Sequence, residues 1–145
     1  MQKSKNERDY LFYLLSKQEY SSAQLRRKLM LRNNLSLEEI DTLLAEFVEN
    51  NWQSDERYAE LVLRDCLSKH YGLLRIKQKL VYEKGIESAI LEKMLAMLNI
   101  DWFEQAMLCY QRKYHDQPHD LKEKHKRIQY LLRQGHSLDI TLKVI

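Results

Sequence analysis

The chain has little of what bends a polypeptide: three glycines and one proline among 145 residues, where average usage is roughly 12% for the two together. Tight hairpins and phosphate-cradling loops depend on those residues, so hairpin-rich sheets and P-loops are excluded. Cysteine is also scarce. Cys66 and Cys109 sit inside apolar helical patterns without metal-ligand spacing, which reads as two packed thiols in a reducing compartment. No run approaches the ~20 apolar residues of a membrane span. The polar start from Met1 to Asp9 lacks the apolar stretch of a secretory signal. A cytoplasmic chain without membrane contact is expected. Charge of one sign is missing as well, since 24 Lys and Arg face 21 Asp and Glu for a formal net charge of +3.

What is present is apolar residues at helical spacing from end to end. Tyr10, Leu11, Leu14 and Leu15 predict a first helix ending near Tyr20, and Ser21 caps a second carrying Leu25 and Leu29 inward. Asn33-Asn34 stops it, and Ser36 with Glu39 forms a capping box for a third with Ile40, Leu43, Leu44, Phe47 and Val48 on one face. Ser54 or Asp55 caps a fourth with Tyr58, Ala59, Val62, Leu63 and Cys66 inward. Gly72 precedes a fifth with Ile76 and Leu80, running to Lys84-Gly85. A sixth carries Ile90, Leu91, Met94, Leu95 and Met97, and Asp101 caps a seventh with Phe103, Ala106, Met107 and Tyr110. Pro118 marks a loop, after which an eighth helix reaches Gln134-Gly135 and Ser137 caps a short ninth.

These nine helices repeat. Leu25 and Leu29 lie 51 residues before Ile76 and Leu80, while Ile40, Leu44 and Phe47 lie 50 before Ile90, Met94 and Met97. Ile90 and Met94 lie 50 before Ile140 and Val144, and Gly85 lies 50 before Gly135. A shared period across independent positions marks tandem units. The expected fold is all-α, with three tandem three-helix modules of about 50 residues in an elongated, curved array. Their expected bounds are 1–53, 54–100 and 101–145.

Within each module the charge is segregated. The first middle helix carries Arg26, Arg27, Lys28 and Arg32 with no acid between Tyr20 and Leu37. The second, with its lead-in, carries Lys69, Arg75, Lys77 and Lys79 with no acid from Ser68 to Tyr82. The third carries Lys122, Lys124, Lys126, Arg127 and Arg133 against Glu123 alone. A broken basic strip is expected, facing an acidic protein surface or nucleic-acid phosphates. Expected contact residues are Arg26, Lys28, Lys69, Arg75, Lys77, Lys79, Lys126 and Arg127. Sequence-specific DNA reading is disfavoured, because the first module's last helix holds Glu38, Glu39, Asp41, Glu46 and Glu49 and would be repelled in a groove.

No catalytic constellation emerges. His115 and His119 are four apart, but Pro118 between them breaks the helix that would align them, and no third metal ligand is near. The acids sit in helical pairings rather than as isolated carboxylates in apolar surroundings. The chain is expected to be neither an enzyme nor a cofactor binder. Trp52 and Trp102, 50 residues apart, fit packing at the module junctions, and Tyr20 and Tyr71 introduce equivalent middle helices.

Four runs carry a family resemblance: Leu14 to Ser21 followed by Leu25-Arg26-Arg27-Lys28-Leu29; Asn51-Trp52-Gln53-Ser54-Asp55-Glu56-Arg57-Tyr58-Ala59; Gly72-Leu73-Leu74-Arg75-Ile76-Lys77-Gln78-Lys79-Leu80, continuing to Lys84-Gly85-Ile86; and Leu131 to Ser137. In order and spacing the chain resembles the RecX family of recombination regulators, from about residue 8 to the end. Two departures stand out, Asn33-Asn34 where a glycine often ends the helix and His136 in place of an aromatic residue. The resemblance implies a monomer that binds the RecA recombinase and its filament on single-stranded DNA along the helical groove. It implies inhibition of ATP hydrolysis, strand exchange and coprotease activity by blocking access, capping extension or promoting disassembly. The competing reading is a non-specific nucleic-acid binder, using the same basic helices without a recombinase.

Overall fold

Side-chain caps fix where most of the helices begin. In this computed structural model, residues 2–145 are described, with side chains from Lys5 onward; Met1, where the first expected module starts, lies outside the described residues. Helix α1 spans Gln2–Lys17, α2 Ser22–Arg32 and α3 Leu37–Glu49. Ser21 and Ser36 cap α2 and α3, each in a reciprocal capping box with Gln24 and Glu39. Helix α4 (Asp55–Ser68) is capped by Ser54 rather than Asp55, α7 (Trp102–Lys113) by Asp101, α8 (Leu121–Arg133) by Asp120 and α9 (Leu138–Val144) by Ser137. Helix α6 spans Ser88–Leu98.

The fifth helix departs from expectation. Only Leu73–Lys77 (α5) is α-helical, and Gln78–Glu83 continues it as a π-helical segment. Its last turn closes with Lys84 N–H donating to the Lys79 carbonyl (3.2 Å), five residues back.

The principal helix contacts fall within successive triplets: α1 and α2 on α3, then α4, the π segment and α6 on one another, then α7, α8 and α9. The first core holds Leu11, Leu14, Leu25, Leu29, Ile40, Leu43, Leu44 and Phe47, and Phe12, Phe47 and Trp52 stack with ring centroids 4.7–5.1 Å apart. The second holds Tyr58, Ala59, Leu63, Cys66, Ile76, Leu80, Ile86 and Leu91. The third triplet buries Ala106, Cys109 and Leu131 together with Arg127, His136 and Thr141.

Several expected core positions face water. Val48 is 51% exposed, Phe103 40% and Met97 77%. Met97 stands at the repeat position of the fully buried Phe47; α3 meets Phe12 and Trp52 there, whereas the end of α6 carries no such aromatic stack. In α9 the buried residue is Thr141 rather than Ile140 or Val144.

Scarcity of glycine is met by other residues in the left-handed region. Asn33, Asn51, His70 and Asn99 all have φ between 49° and 61°. Asparagine tolerates this conformation best after glycine, so Asn33 ends α2 as its C-cap.

Candidate partner-binding surface

The chain's remaining glycines sit where one triplet meets the next. At the junction of the second and third triplets, Gly72 N–H donates to the Gln134 carbonyl (2.8 Å) and Leu74 N–H to the Gly135 carbonyl (3.1 Å). The free amides at the start of α5 thus take the free carbonyls at the end of α8. The approach leaves no room for side chains. A Cβ on Gly72 would lie 2.3 Å from the Gly135 carbonyl, and one on Gly135, at φ +97°, would lie 2.4 Å from the Arg75 nitrogen.

The first junction repeats this one at equivalent positions. Ser21, at the start of α2, donates its hydroxyl to the Lys84 carbonyl at the end of the π segment (2.6 Å), and Gly85 abuts Ala23. Gln53 ties the same junction by donating to the Tyr20 carbonyl (3.1 Å) and to Asp55 (2.8 Å), whose carboxylate also accepts from Ser22 N–H. The three middle helices therefore abut end to end in the order α8, α5 with its π segment, α2. Backbone bonds close the junction of the second and third triplets, whereas the side chains of Ser21, Gln53 and Asp55 close the first.

Cations along that line differ in availability. Lys77, Lys79, Arg133 and Lys126 have no ion pair among the described residues, and Arg75 stacks on Tyr71 (3.9 Å) while donating to Gln134 Oε1 (2.9 Å). Arg75, Gln78, Lys79, Glu83, Arg133 and Gln134 line an open cleft of about 530 Å³ where α5 meets α8. Lys28 lies 5.5 Å over the Tyr20 ring. Arg26 is paired with Asp41 (3.0 Å), and Lys69 with Asp65 (2.9 Å), whose carboxylate raises the lysine pKa.

Arg127 does not belong to the surface. It is 1% exposed; its guanidinium donates to Tyr110 Oη (2.7 Å), the Asp116 carbonyl (2.6 Å), Asp116 Oδ1 (3.0 Å) and Glu123. Burial opposes its charge, but these acceptors outweigh that and raise its pKa. Counting basic residues along a run missed this, although Glu123 four residues earlier was the available signal. Sequence reasoning also omitted Arg133 from the contact set; the 50-residue step from Lys84 to Gln134 would have placed it at a junction.

Burial pushes both thiols above the ordinary cysteine value, which disfavours the reactive thiolate. Among the described residues no group of three or more His, Cys, Asp or Glu side chains is placed to hold a metal ion, and no helix is long and apolar enough to cross a membrane.

Fold and surface together define an all-helical protein of tandem three-helix units with its cations concentrated on the linked middle helices. Residues 54–95 match the family model for the second three-helix domain of RecX, and residues 99–145 match that for the third. The regulatory protein RecX of Haemophilus influenzae strain Rd is 39% identical over 133 residues, covering 90% of this chain and 87% of its own. That of Pasteurella multocida is 38% identical over 129 residues, covering 88% and 78%. The crystal structure of RecX from Lactobacillus salivarius superposes with a TM-score of 0.79 at 23% identity, over 99% of this chain and 94% of that one. This chain belongs to the RecX family of regulatory proteins.

Proposed function

We propose that the chain is a cytoplasmic negative regulator of the RecA recombinase, acting as a monomer on the filament that RecA forms on single-stranded DNA. It docks along the helical groove through three footprints, the modules 1–53, 54–100 and 101–145. Occupying the groove would inhibit ATP hydrolysis, strand exchange and coprotease activity by blocking access, capping extension or promoting disassembly. The observation that carries this reading is the end-to-end line of basic middle helices, with Arg75, Lys79 and Arg133 lining one junction. Linked footprints gain avidity without requiring any single strong contact.

The test is single-stranded-DNA-dependent ATP hydrolysis by the cognate RecA, titrated with this protein and with Lys77→Glu/Lys79→Glu. Inhibition is expected from the parent at levels well below coverage of the DNA, and none from the double variant at unchanged helical content. Equal inhibition by the variant would overturn the role of that face. Absence of inhibition, with salt-sensitive binding to DNA alone, would favour a recombinase-independent nucleic-acid binder.

A further inference from the structure

An apolar groove of about 630 Å³ opens between α4 and α6, the outer helices of the second triplet, with Leu63, Leu67, Ile90, Met94, Met97 and Leu98 among its lining residues. Met97 and Leu98 are exposed there. Apolar surface gathered in one place and rimmed by charge is characteristic of protein-binding sites. None of the lining residues belongs to a middle helix, so occupancy of the groove is independent of the basic line and of the function proposed above.

The repeat itself points to what would fill it. In the first triplet Phe12 of α1 and Trp52 lie against Phe47 of α3, with ring centroids 4.7 and 5.1 Å away, and bridge the two helices. Leu63 follows Phe12 by 51 residues, and Met97 follows Phe47 by 50. Leu63 is buried while Met97 is 77% exposed. Trp102, the counterpart of Trp52, packs against the second core and does not line the groove. Among the described residues no ring takes the covering place in the second triplet that Phe12 takes in the first.

The walls select the form of the occupant. Both are α-helices whose backbone groups are bonded within themselves, so an extended segment would lay unpaired amides and carbonyls over an apolar floor. A helix brings its own backbone bonds and presents a stripe of side chains. From Glu56 to Leu67 the α4 wall is about 16 Å long, or about three turns, at roughly 1.5 Å per residue. The flexible thioethers of Met94 and Met97 adapt to an incoming side chain and favour contact with an aromatic one. Charge at the rim adds selectivity. Arg57 is paired with Glu19 (2.7 Å) and Glu60 with Arg64 (2.7 Å), whereas Glu56 and Lys93 have no ion pair among the described residues.

We propose that this groove receives an amphipathic helix of a partner protein. The helix is about three turns long, seats an aromatic side chain against Met94 and Met97, and carries a base toward Glu56 and an acid toward Lys93.

The experiment is a selection on the full chain from a library of helix-locked peptides of about three to four turns. The apolar stripe and the charged positions beside it are randomised, and Met97→Glu and Leu31→Glu chains serve as comparison targets. Leu31 is 80% exposed on α2, outside the groove, so both variants add the same charge at an exposed site and keep the fold. Enriched peptides are expected to share a Phe or Trp within one apolar stripe and to bind Leu31→Glu like the parent. Binding to Met97→Glu should be weaker by about tenfold or more, because the new carboxylate would lose water in the seat. The ring current of the bound aromatic residue should move the Met94 and Met97 methyl resonances. The proposal is overturned if no peptide prefers the parent to Met97→Glu, or if both variants lose binding alike. It is equally overturned if peptides bind as tightly with the aromatic residue changed to alanine, or with a central proline in place of the helix lock. Sedimentation showing that the parent dimerises and Met97→Glu does not would make a second copy the occupant instead.

Discussion

Replacing Gly135 by alanine should open the junction between the second and third triplets while leaving the first intact. Gly135 adopts φ +97°, and an added Cβ would lie 2.4 Å from the Arg75 nitrogen, 2.5 Å from Arg75 Cβ and 2.9 Å from the Gly72 carbonyl oxygen. Two of those three are backbone atoms, so rotation of a side chain cannot relieve the contact. The left-handed conformation costs alanine roughly 1–2 kcal/mol. Loss of the hydrogen bonds from Gly72 and Leu74 adds about 1 kcal/mol each. The total is about 3–4 kcal/mol, which corresponds to amide exchange faster by a factor on the order of 10²–10³.

Native-state hydrogen exchange reads this residue by residue. The Gly72 and Leu74 amides should lose protection by that factor. The Trp52 amide, which donates to the Phe47 carbonyl in the first triplet, should not change. Unchanged protection at Gly72 and Leu74 would refute the reasoning, and so would equal acceleration at Trp52, since that would make the chain a single opening unit. Gly72→Ala is the companion variant: its φ of −84° is ordinary for any residue, so an effect there reports the close approach alone.

His136 and Glu7 give two pH-dependent predictions. His136 is buried, which lowers its pKa, and its Nε2 lies 2.9 Å from the His70 carbonyl; an acceptor there requires the Nε2–H tautomer, leaving Nδ1 buried without a partner. Below the ordinary imidazole value the unfolded chain binds more protons here than the folded chain, so stability should fall between about pH 7 and pH 5. His136→Phe should flatten that part of the curve in urea denaturation, and an unchanged slope would contradict the assignment. Glu7 is fully buried; Arg32 holds it through two nitrogens (2.8–3.0 Å), with Asn34 at 3.2 Å, and this holds its pKa below the usual carboxylate value. Arg32 is 38% exposed, so solvent screens the pair and Glu7→Gln should cost about 1–3 kcal/mol. That cost is present above the ordinary carboxylate value and shrinks as pH falls through the lowered one, so thermal-denaturation curves for parent and variant should converge in acid; a pH-independent gap would refute the pairing.

What the sequence made legible was local. The caps at Ser21, Ser36, Ser54, Asp101 and Ser137 could be read because a capping side chain reaches amides only two or three residues ahead. The 50-residue register could be read because it needs only apolar positions. The junction of the second and third triplets could not, because its bonds join backbone amides at Gly72 and Leu74 to backbone carbonyls at Gln134 and Gly135, groups every residue carries. Arg127 was misplaced because a run of cations looks the same whether or not an Asp116 waits eleven residues away. The π-helical turn at Gln78–Glu83 had no counterpart in the apolar pattern, which puts Ile76 and Leu80 inward in either helix.

End-to-end abutment also decides which charges the surface presents. At each junction the carbonyl end of one middle helix meets the amide end of the next, so the partial charges of their dipoles offset each other. The field along the line then comes from side chains, and those are not evenly spread. Asp41 pairs with Arg26 in the first triplet and Asp65 with Lys69 in the second, whereas Arg75, Lys79 and Arg133 line the α5–α8 junction without a carboxylate partner among the described residues. A net charge of +3 hides this concentration entirely. The junction lined by Arg75, Lys79 and Arg133 is also the one that closes through Gly72 and Gly135. Loosening it should therefore weaken partner binding by more than the loss of any single lysine, because it disturbs the spacing of all three cations at once.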